Sequence, residues 1–291
     1  MEDYNYDTLS STIKIEDITS SKSNQDILRQ LKENDIKNLY ICDELLMDEI
    51  TTDGDKCDYV ALNNEDAMGW LGYFISKSKS LKEINFLASY INNIEDLCRG
   101  INNNRSLKNI GFYHDINTLE GNIFGMLDPF FKNNHKLIEV AVENCELRAE
   151  GIRLLSLAIG SCKSLKHFTF ANNEIVNGQL ADIIMALSVH PQLKKLELLR
   201  MNIGRNECIA LETLLCNTIK HLQTLNLRQN NIDDEGLDAL VHALSSCNQL
   251  RVLNISFNQT ITSRGWKKVS TLLERRVSNL LRLVLLSNNP W

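Results

Sequence analysis

Leu222–Asn230 reads LQTLNLRQN, and Leu250–Asn258 reads LRVLNISFN. The shared phrase is Leu-x-x-Leu-x-Leu-x-x-Asn. Leu165–Asn173 (LKHFTFANN) and Leu280–Asn288 (LLRLVLLSN) repeat it, and weaker copies begin at Leu193, Leu137, Leu107, Leu81 and Ile36. Successive starts lie 45, 26, 30, 28, 28, 29, 28 and 30 residues apart, so only the first interval is irregular. A near-constant period of this length means stacked structural units with one shared surface.

Each unit changes period halfway. Positions 4 and 6 of the phrase are apolar between polar or small neighbours, the period-2 signature of a short half-buried strand. A further apolar residue follows at position 11, as Leu147, Ile175, Ile203 or Ile232. Helical spacing then takes over. Leu237, Leu240, Val241 and Leu244 fall at i, i+3, i+4 and i+7, and Ile152, Leu155 and Ile159 share the pattern. Ile183, Ile184 and Leu187 do so too, as do Trp266, Val269, Leu272 and Leu273. Asp233, Asp234 and Glu235 suit the positive end of a helix. Strand, turn, helix and return loop therefore repeat. This predicts an α/β chain with a parallel sheet covered on one side by helices. A helix is about twice as wide as the spacing between strands. The stack should therefore curve into a right-handed β-α solenoid, with strands on the concave side and helices on the convex side.

The position-9 Asn has a chemical reason. The chain turns sharply after the strand and leaves backbone groups without ladder partners. A carboxamide offers both donors and an acceptor. Asn173, Asn230, Asn258 and Asn288 are expected to form a ladder that satisfies those groups, with Cys145 as a smaller substitute. Met201, Ser89, Asp115 and Glu44 depart from the pattern.

The phrase resembles the leucine-rich repeat superfamily in its 28–29-residue ribonuclease-inhibitor-like form. The resemblance covers Leu81–Trp291 well and Ile36–Ser80 loosely. It implies a horseshoe whose concave face binds a partner, and it does not name that partner. Cys162 and Cys247 each stand three residues before a phrase and read as core, whereas His190 and His221 read as loop residues.

Three segments follow from these boundaries. Residues 1–22 are Ser/Thr/Asp-rich and read as a disordered acidic tail. Residues 23–80 read as a capping region with a divergent first repeat. In it, Ser23 and Asp26 cap a helix over Asn24–Glu33, residues 43–62 form an acidic insertion, and Asn64–Lys77 is helical. Trp70, Leu71, Phe74 and Ile75 should face inward along that last helix. Residues 81–291 form the repeat array, and its end at Trp291 lacks a polar cap.

Charge is uneven along the chain. Residues 1–60 hold 15 Asp/Glu against 6 Lys/Arg, and the rest holds 22 against 25. An acidic start and a near-neutral body argue against a nucleic-acid partner. The apolar runs fall short of the roughly 20 residues that span a bilayer, so no membrane association is expected. The N-terminus lacks the basic and apolar regions of a secretion signal. Eight cysteines without a C-x-x-C pair then read as reduced thiols in the cytoplasm or nucleus.

Phosphate-cradling, zinc-binding and nucleophile motifs are missing, and the six histidines do not pair at ligand spacing. No metal, cofactor, small molecule or catalytic residue is expected. Positions 3, 5, 7 and 8 point away from the core. They supply Tyr113, His114, Glu139, Glu143, His167, Glu197, Arg200, Arg228 and Phe257, which grade from acidic to basic along the chain. Tyr, Phe and Arg are favoured at binding hot spots. The leading expectation is a non-catalytic intracellular scaffold binding a protein on this face. The alternatives are a regulator of a small GTPase, similar in repeat length to the Ran GTPase-activating protein, and an inhibitor that plugs an enzyme cleft.

Overall fold

The computed structural model describes residues 6–42, 59–61, 65–87, 94–113, 123–145, 147–173, 175, 178–274 and 282–284, the side chains of 65, 66, 273 and 282–284 excepted. His114 and Asn288 lie outside the described residues, as does most of the 43–62 insertion. The chain divides into two compact units, residues 1–137 and 138–291.

The first unit holds strands β1 (Asn38–Ile41), β2 (Tyr59–Val60), β3 (Glu83–Phe86) and β4 (Asn109–Tyr113). They pair in parallel in the order β4-β3-β1-β2. β1, β3 and β4 each begin two residues after Ile36, Leu81 and Leu107, the phrase starts. The register aligns Leu39 with Ile84 and Ile84 with Ile110, so position 4 of each phrase stacks into the core. Each such buried side chain contributes about 1.5–3 kcal/mol. Phe86 stacks on Phe112 at 5.2 Å between ring centroids, and Phe124 meets Phe112 edge-on at 5.0 Å.

The helix expected over 64–77 spans Glu65–Lys77, with Trp70, Leu71, Phe74 and Ile75 all buried. It packs on the helix Ile94–Asn103, and the two backbones approach at Gly72 and Gly100. A Cβ added to Gly100 would overlap the Gly72 backbone, so this contact requires glycine.

Three expectations for this unit change. Residues 6–22 are folded and are not a disordered tail. Tyr6–Leu9 and Ile15–Ile18 are short helices, and Ile15 and Ile18 are buried. Tyr6 lies edge-on to Trp70 at 4.8 Å and stacks on Tyr73 at 5.7 Å. Asp7 accepts from Tyr73 Oη at 3.1 Å and pairs with Lys77 Nζ at 2.7 Å. Few apolar groups suffice because they dock on an aromatic helix that already stands. The capping helix begins at Lys22, and its N-cap is Ser21, whose Oγ accepts from Asn24 N; Ser23 lies inside the first turn. Finally, the acidic insertion contains a strand. β2 pairs with β1, and Asn24 fixes the next residue by donating to Ala61 O at 2.6 Å and accepting from Ala61 N at 3.3 Å.

The second unit holds β5 (Glu139–Glu143), β6 (His167–Ala171), β7 (Lys195–Leu199), β8 (Thr224–Asn226), β9 (Val252–Asn254) and β10 (Arg282–Val284). They pair in parallel in chain order. Val140, Phe168, Leu196, Leu225 and Leu253 share one row, and all are buried. The described helices are Ala149–Ser161, Gln179–Ala186, Arg205–Asn217, Asp234–Leu244 and Ser263–Glu274, with a 3-10 turn over Leu187–Val189. Asp233 caps Asp234–Leu244 by accepting from Gly236 N at 2.7 Å. The second unit is a β-α solenoid, and β1, β3 and β4 of the first follow the same plan.

Position 9 makes the contacts that its chemistry demands. Asn173 accepts from Cys145 N at 2.8 Å and donates to Val142 O and Ala171 O, both at 3.0 Å. Asn230 accepts from Met201 N at 2.9 Å and Ile203 N at 3.2 Å, and donates to Leu198 O and Leu227 O. Asn258 accepts from Ile232 N at 3.1 Å and donates to Leu227 O and Ile255 O. Each amide thus reaches back to the preceding repeat as well as its own. Met201 carries no amide to reach back in this way, although its own backbone N–H is served by Asn230.

A second column stands three residues before each phrase. Asn104 donates to Ile75 O and Ser78 O, and Asn134 donates to Leu107 O. Cys162 and Cys247 occupy this column and are buried. So is His190, which is fully buried rather than in an exposed loop; one ring nitrogen, Nε2, meets Ile159 O at 2.9 Å.

Candidate functional site

In the second unit, positions 3, 5 and 7 line the sheet face opposite the helices. Register sets Glu139 beside His167 and His167 beside Lys195 in one row. Thr169, Glu197, Asn226 and Asn254 make the next row. His167 Nδ1 and Glu139 Oε2 are 3.4 Å apart, each side chain about one-third exposed.

Glu197 organises the middle of this face. Its carboxylate accepts from Thr169 Oγ1 at 3.1 Å and Asn226 Nδ2 at 3.3 Å, and it pairs with Lys195 Nζ at 2.8 Å. It is therefore tied to both flanking strands. Burial raises the Glu143 carboxyl above its ordinary value, and the Glu197 charge adds to that shift while Lys195 opposes it. Toward the later strands the charge turns positive. Arg200 donates through Nε to Gln229 Oε1 at 2.8 Å, and the Arg228 guanidinium lies over the Phe257 ring, 4.7 Å from its centroid.

Position 8 has a property that spacing alone does not reveal. Asn144, Asn172, Arg200, Gln229 and Phe257 all adopt left-handed backbone, with φ of 56°, 50°, 53°, 59° and 60°. The backbone N–H groups of Asn144, Asn172, Arg200 and Gln229 donate to the next repeat, as from Arg200 N to Arg228 O at 3.2 Å. The turn needs this conformation to keep pairing while leaving the strand. Asn tolerates it. Arg, Gln and Phe bear a cost of about 1–2 kcal/mol each. The two Asn were the available signal, and their neighbours masked it.

Seven of the nine expected face residues therefore sit together: Glu139, Glu143, His167, Glu197, Arg200, Arg228 and Phe257. Tyr113 closes β4 in the first unit. Beside the position-8 column lies a hollow of about 480 Å³, lined by Asn144, Asn172, Asn173, Ile175, Arg200, Met201 and Asn202. Asn172 donates to Asn144 within it. Among the described residues no three His, Cys, Asp or Glu side chains converge as a metal site would require. No described helix is long and apolar enough to cross a membrane.

A family model described as leucine-rich repeat matches residues 218–241 and 246–270. These two segments are leucine-rich repeats. These two matched repeats carry Arg228 and Phe257, and the same strand-turn-helix geometry recurs at every phrase from β5 to β9. No curated protein matches the chain significantly. Among solved structures it is similar to a protein from Bacteroides fragilis, at 15% identity over 83% of this chain and 78% of that one, with a TM-score of 0.46. It is also similar to the TLR13–ssRNA13 complex, at 15% identity over 72% of this chain and 36% of that one, with a TM-score of 0.30. Leucine-rich repeats commonly serve protein interaction.

Proposed function

We propose that this leucine-rich repeat protein is a non-catalytic scaffold that binds a protein partner on the open face of β5–β9. Glu139, Glu143, Glu197, Arg200, Arg228 and Phe257 form the contact set. The observation that carries the reading is the left-handed column. Arg200, Gln229 and Phe257 occupy turns where Asn would be less strained. Backbone strain of this kind accumulates at functional sites. It presents a cation and an aromatic ring at the rim of a polar face, the composition of a binding hot spot.

Repeat intervals of 28–30 residues with a helix in the described units support the ribonuclease-inhibitor-like subtype. Cys98, Cys208 and Cys216 are free thiols, and burial pushes Cys98 and Cys208 up to about 12. Such inert thiols support a reducing compartment, the cytoplasm or nucleus.

The test is affinity capture from cells with quantitative mass spectrometry. The intact protein is compared with an Arg200→Glu/Arg228→Glu variant of equal melting temperature. The partners recovered should fall about tenfold or more, equivalent to about 1.4 kcal/mol. An unchanged partner set would remove this face from consideration.

A further inference from the structure

The opposite end of the strands, where each chain enters the sheet, carries a different pattern. Phrase position 2 is Lys82, Lys108, Lys166 and Lys194 in four repeats, and Lys37 follows Ile36 in the first. Backbone hydrogen bonds stack these positions directly. Lys82 N donates to Lys37 O at 2.7 Å, and Lys108 N donates to Lys82 O at 2.7 Å. Lys194 N donates to Lys166 O at 2.7 Å in the second unit. Neighbouring strands lie about 4.8 Å apart. Like charges held at that spacing repel.

In the first unit nothing described offsets this repulsion. None of Lys37, Lys82, Lys108 or Lys136 forms an ion pair with a described carboxylate. The Lys82 ammonium donates to the Lys79 carbonyl at 2.7 Å. Arg105 likewise donates to the Asn102 carbonyl at 2.8 Å. Glu83, next to Lys82, is engaged by the amides of Asn85 at 2.7 Å and Asn109 at 3.1 Å. Desolvation lowers the Lys82 ammonium below the ordinary lysine value, and the Lys136 and Lys108 charges lower it further. The backbone beneath is fixed: Leu81 and Leu107 are fully buried, and Asn104 and Ser106 tie the turn to Ser78 O. A fixed backbone thus holds a single file of cations that form no ion pair among the described residues.

We propose that the strand-entry edge of the first unit, built on Lys37, Lys82 and Lys108, binds an acidic, extended segment of a partner protein. An extended peptide directs alternate side chains to one side about every 6.8 Å, a spacing that flexible lysines can meet. A single-stranded nucleic acid fits less well. Its binding sites combine cations with aromatic rings on which bases stack, and the edge residues 34–37, 79–82, 104–109 and 134–137 include no Phe, Tyr or Trp. The net charge of −6 also opposes a long phosphate polymer more than a short acidic stretch. An anionic membrane would need a broad basic plane, and the file is one residue deep beside Glu83.

The experiment measures fluorescence anisotropy of a labelled oligo-glutamate peptide titrated with the full chain. Parallel arms use labelled oligo-thymidine and vesicles containing phosphatidylserine. The edge variant is Lys37→Glu/Lys82→Glu/Lys108→Glu, and a Lys→Gln set at the same positions serves if charge reversal impairs folding. Lys22→Glu/Lys32→Glu/Lys267→Glu, at exposed sites elsewhere, matches its net charge. The edge variant should bind the peptide about tenfold more weakly or worse, the Lys→Gln set about threefold, and the control should stay within about twofold. Binding should also weaken as salt rises. No peptide binding by the unaltered chain, or equal binding by edge and control variants, would overturn the proposal. Tighter binding of oligo-thymidine or vesicles, lost in the edge variant, would overturn it in favour of that ligand. Arg200→Glu/Arg228→Glu should leave the peptide titration unchanged, so failure here and failure of the β5–β9 face are separable.

Discussion

The guanidinium of Arg228 rests on the ring of Phe257, one repeat further on, with Cζ 4.7 Å from the ring centroid. Phe257 occupies one of the left-handed turns, at φ 60°. The two residues therefore act as one element of the face. A pair of this kind at an exposed site contributes about 0.5–1 kcal/mol. A double-mutant cycle of Arg228→Ala and Phe257→Ala, followed by urea unfolding, should return a coupling in that range. Strictly additive single-site effects would show that the contact has no energetic consequence.

Asn258 tests the amide column. It is fully buried, and its amide serves backbone groups in two repeats, among them Ile232 N, Leu227 O and Ile255 O. Leucine fills similar volume and serves none of them. Asn258→Leu should cost about 1–3 kcal/mol, and Asn230→Leu should fall in the same range. The exposed Asn248→Leu should change the urea midpoint little. If the Asn258 variant melted with the native protein, the amide contacts would be incidental.

The parts of this fold legible in the sequence are those set by burial. Strands begin two residues after Ile36, Leu81, Leu107, Leu137, Leu165, Leu193, Leu222 and Leu250, because an apolar period of two admits one register against the helices. What stayed hidden depended on geometry or on distant partners. β2 is two residues long and is held by β1, Cys42 and, through Ala61, Asn24. Residues 6–22 fold because Tyr6 finds Trp70 and Tyr73 far along the chain. The column containing Asn104, Asn134, Cys162 and His190 mixes chemistries, so its common role at the helix ends does not show as a repeated letter. On the open face, spacing indicated which residues point outward. It could not show that Glu197 is tied down by Thr169 and Asn226, or that Arg228 is already engaged by Phe257.

Gly100 tests the helix contact of the first unit. A Cβ there would overlap Gly72 backbone rather than a movable side chain. Relief would require the helices Glu65–Lys77 and Ile94–Asn103 to separate. Alanine favours helix over glycine by about 1 kcal/mol, so the intrinsic preference points the other way. Overpacking typically costs about 1–3 kcal/mol and should win. Gly100→Ala is expected to lower the melting temperature. By contrast Gly160→Ala, in a helix where an added Cβ meets nothing, should raise it slightly. A stabilised Gly100→Ala would mean that the helices are not in backbone contact.

His190 makes the protein sensitive to acid in a definable window. Its Nε2 meets Ile159 O at 2.9 Å, so that nitrogen carries the proton in the neutral ring. Nδ1 is buried with no hydrogen-bond partner. A second proton would place a charge and an unmatched donor in an apolar setting. Burial accordingly holds the imidazole below the ordinary histidine value, and the Ile159 bond only partly opposes the shift. The unfolded chain takes up its proton near pH 6.5, whereas the folded chain resists until a lower pH. Stability from this site is thus complete above about pH 6.5 and declines as pH falls toward the lowered folded value. One proton limits the slope to about 1.4 kcal/mol per pH unit. Asparagine fits the equivalent positions 104 and 134, so His190→Asn should keep the carbonyl contact and remove the titration. Urea unfolding from pH 7.5 to 5 should then show the native protein losing stability relative to the variant as pH falls, while shared carboxylate effects cancel. Parallel curves for the two proteins would show that His190 titrates alike in the folded and unfolded chains.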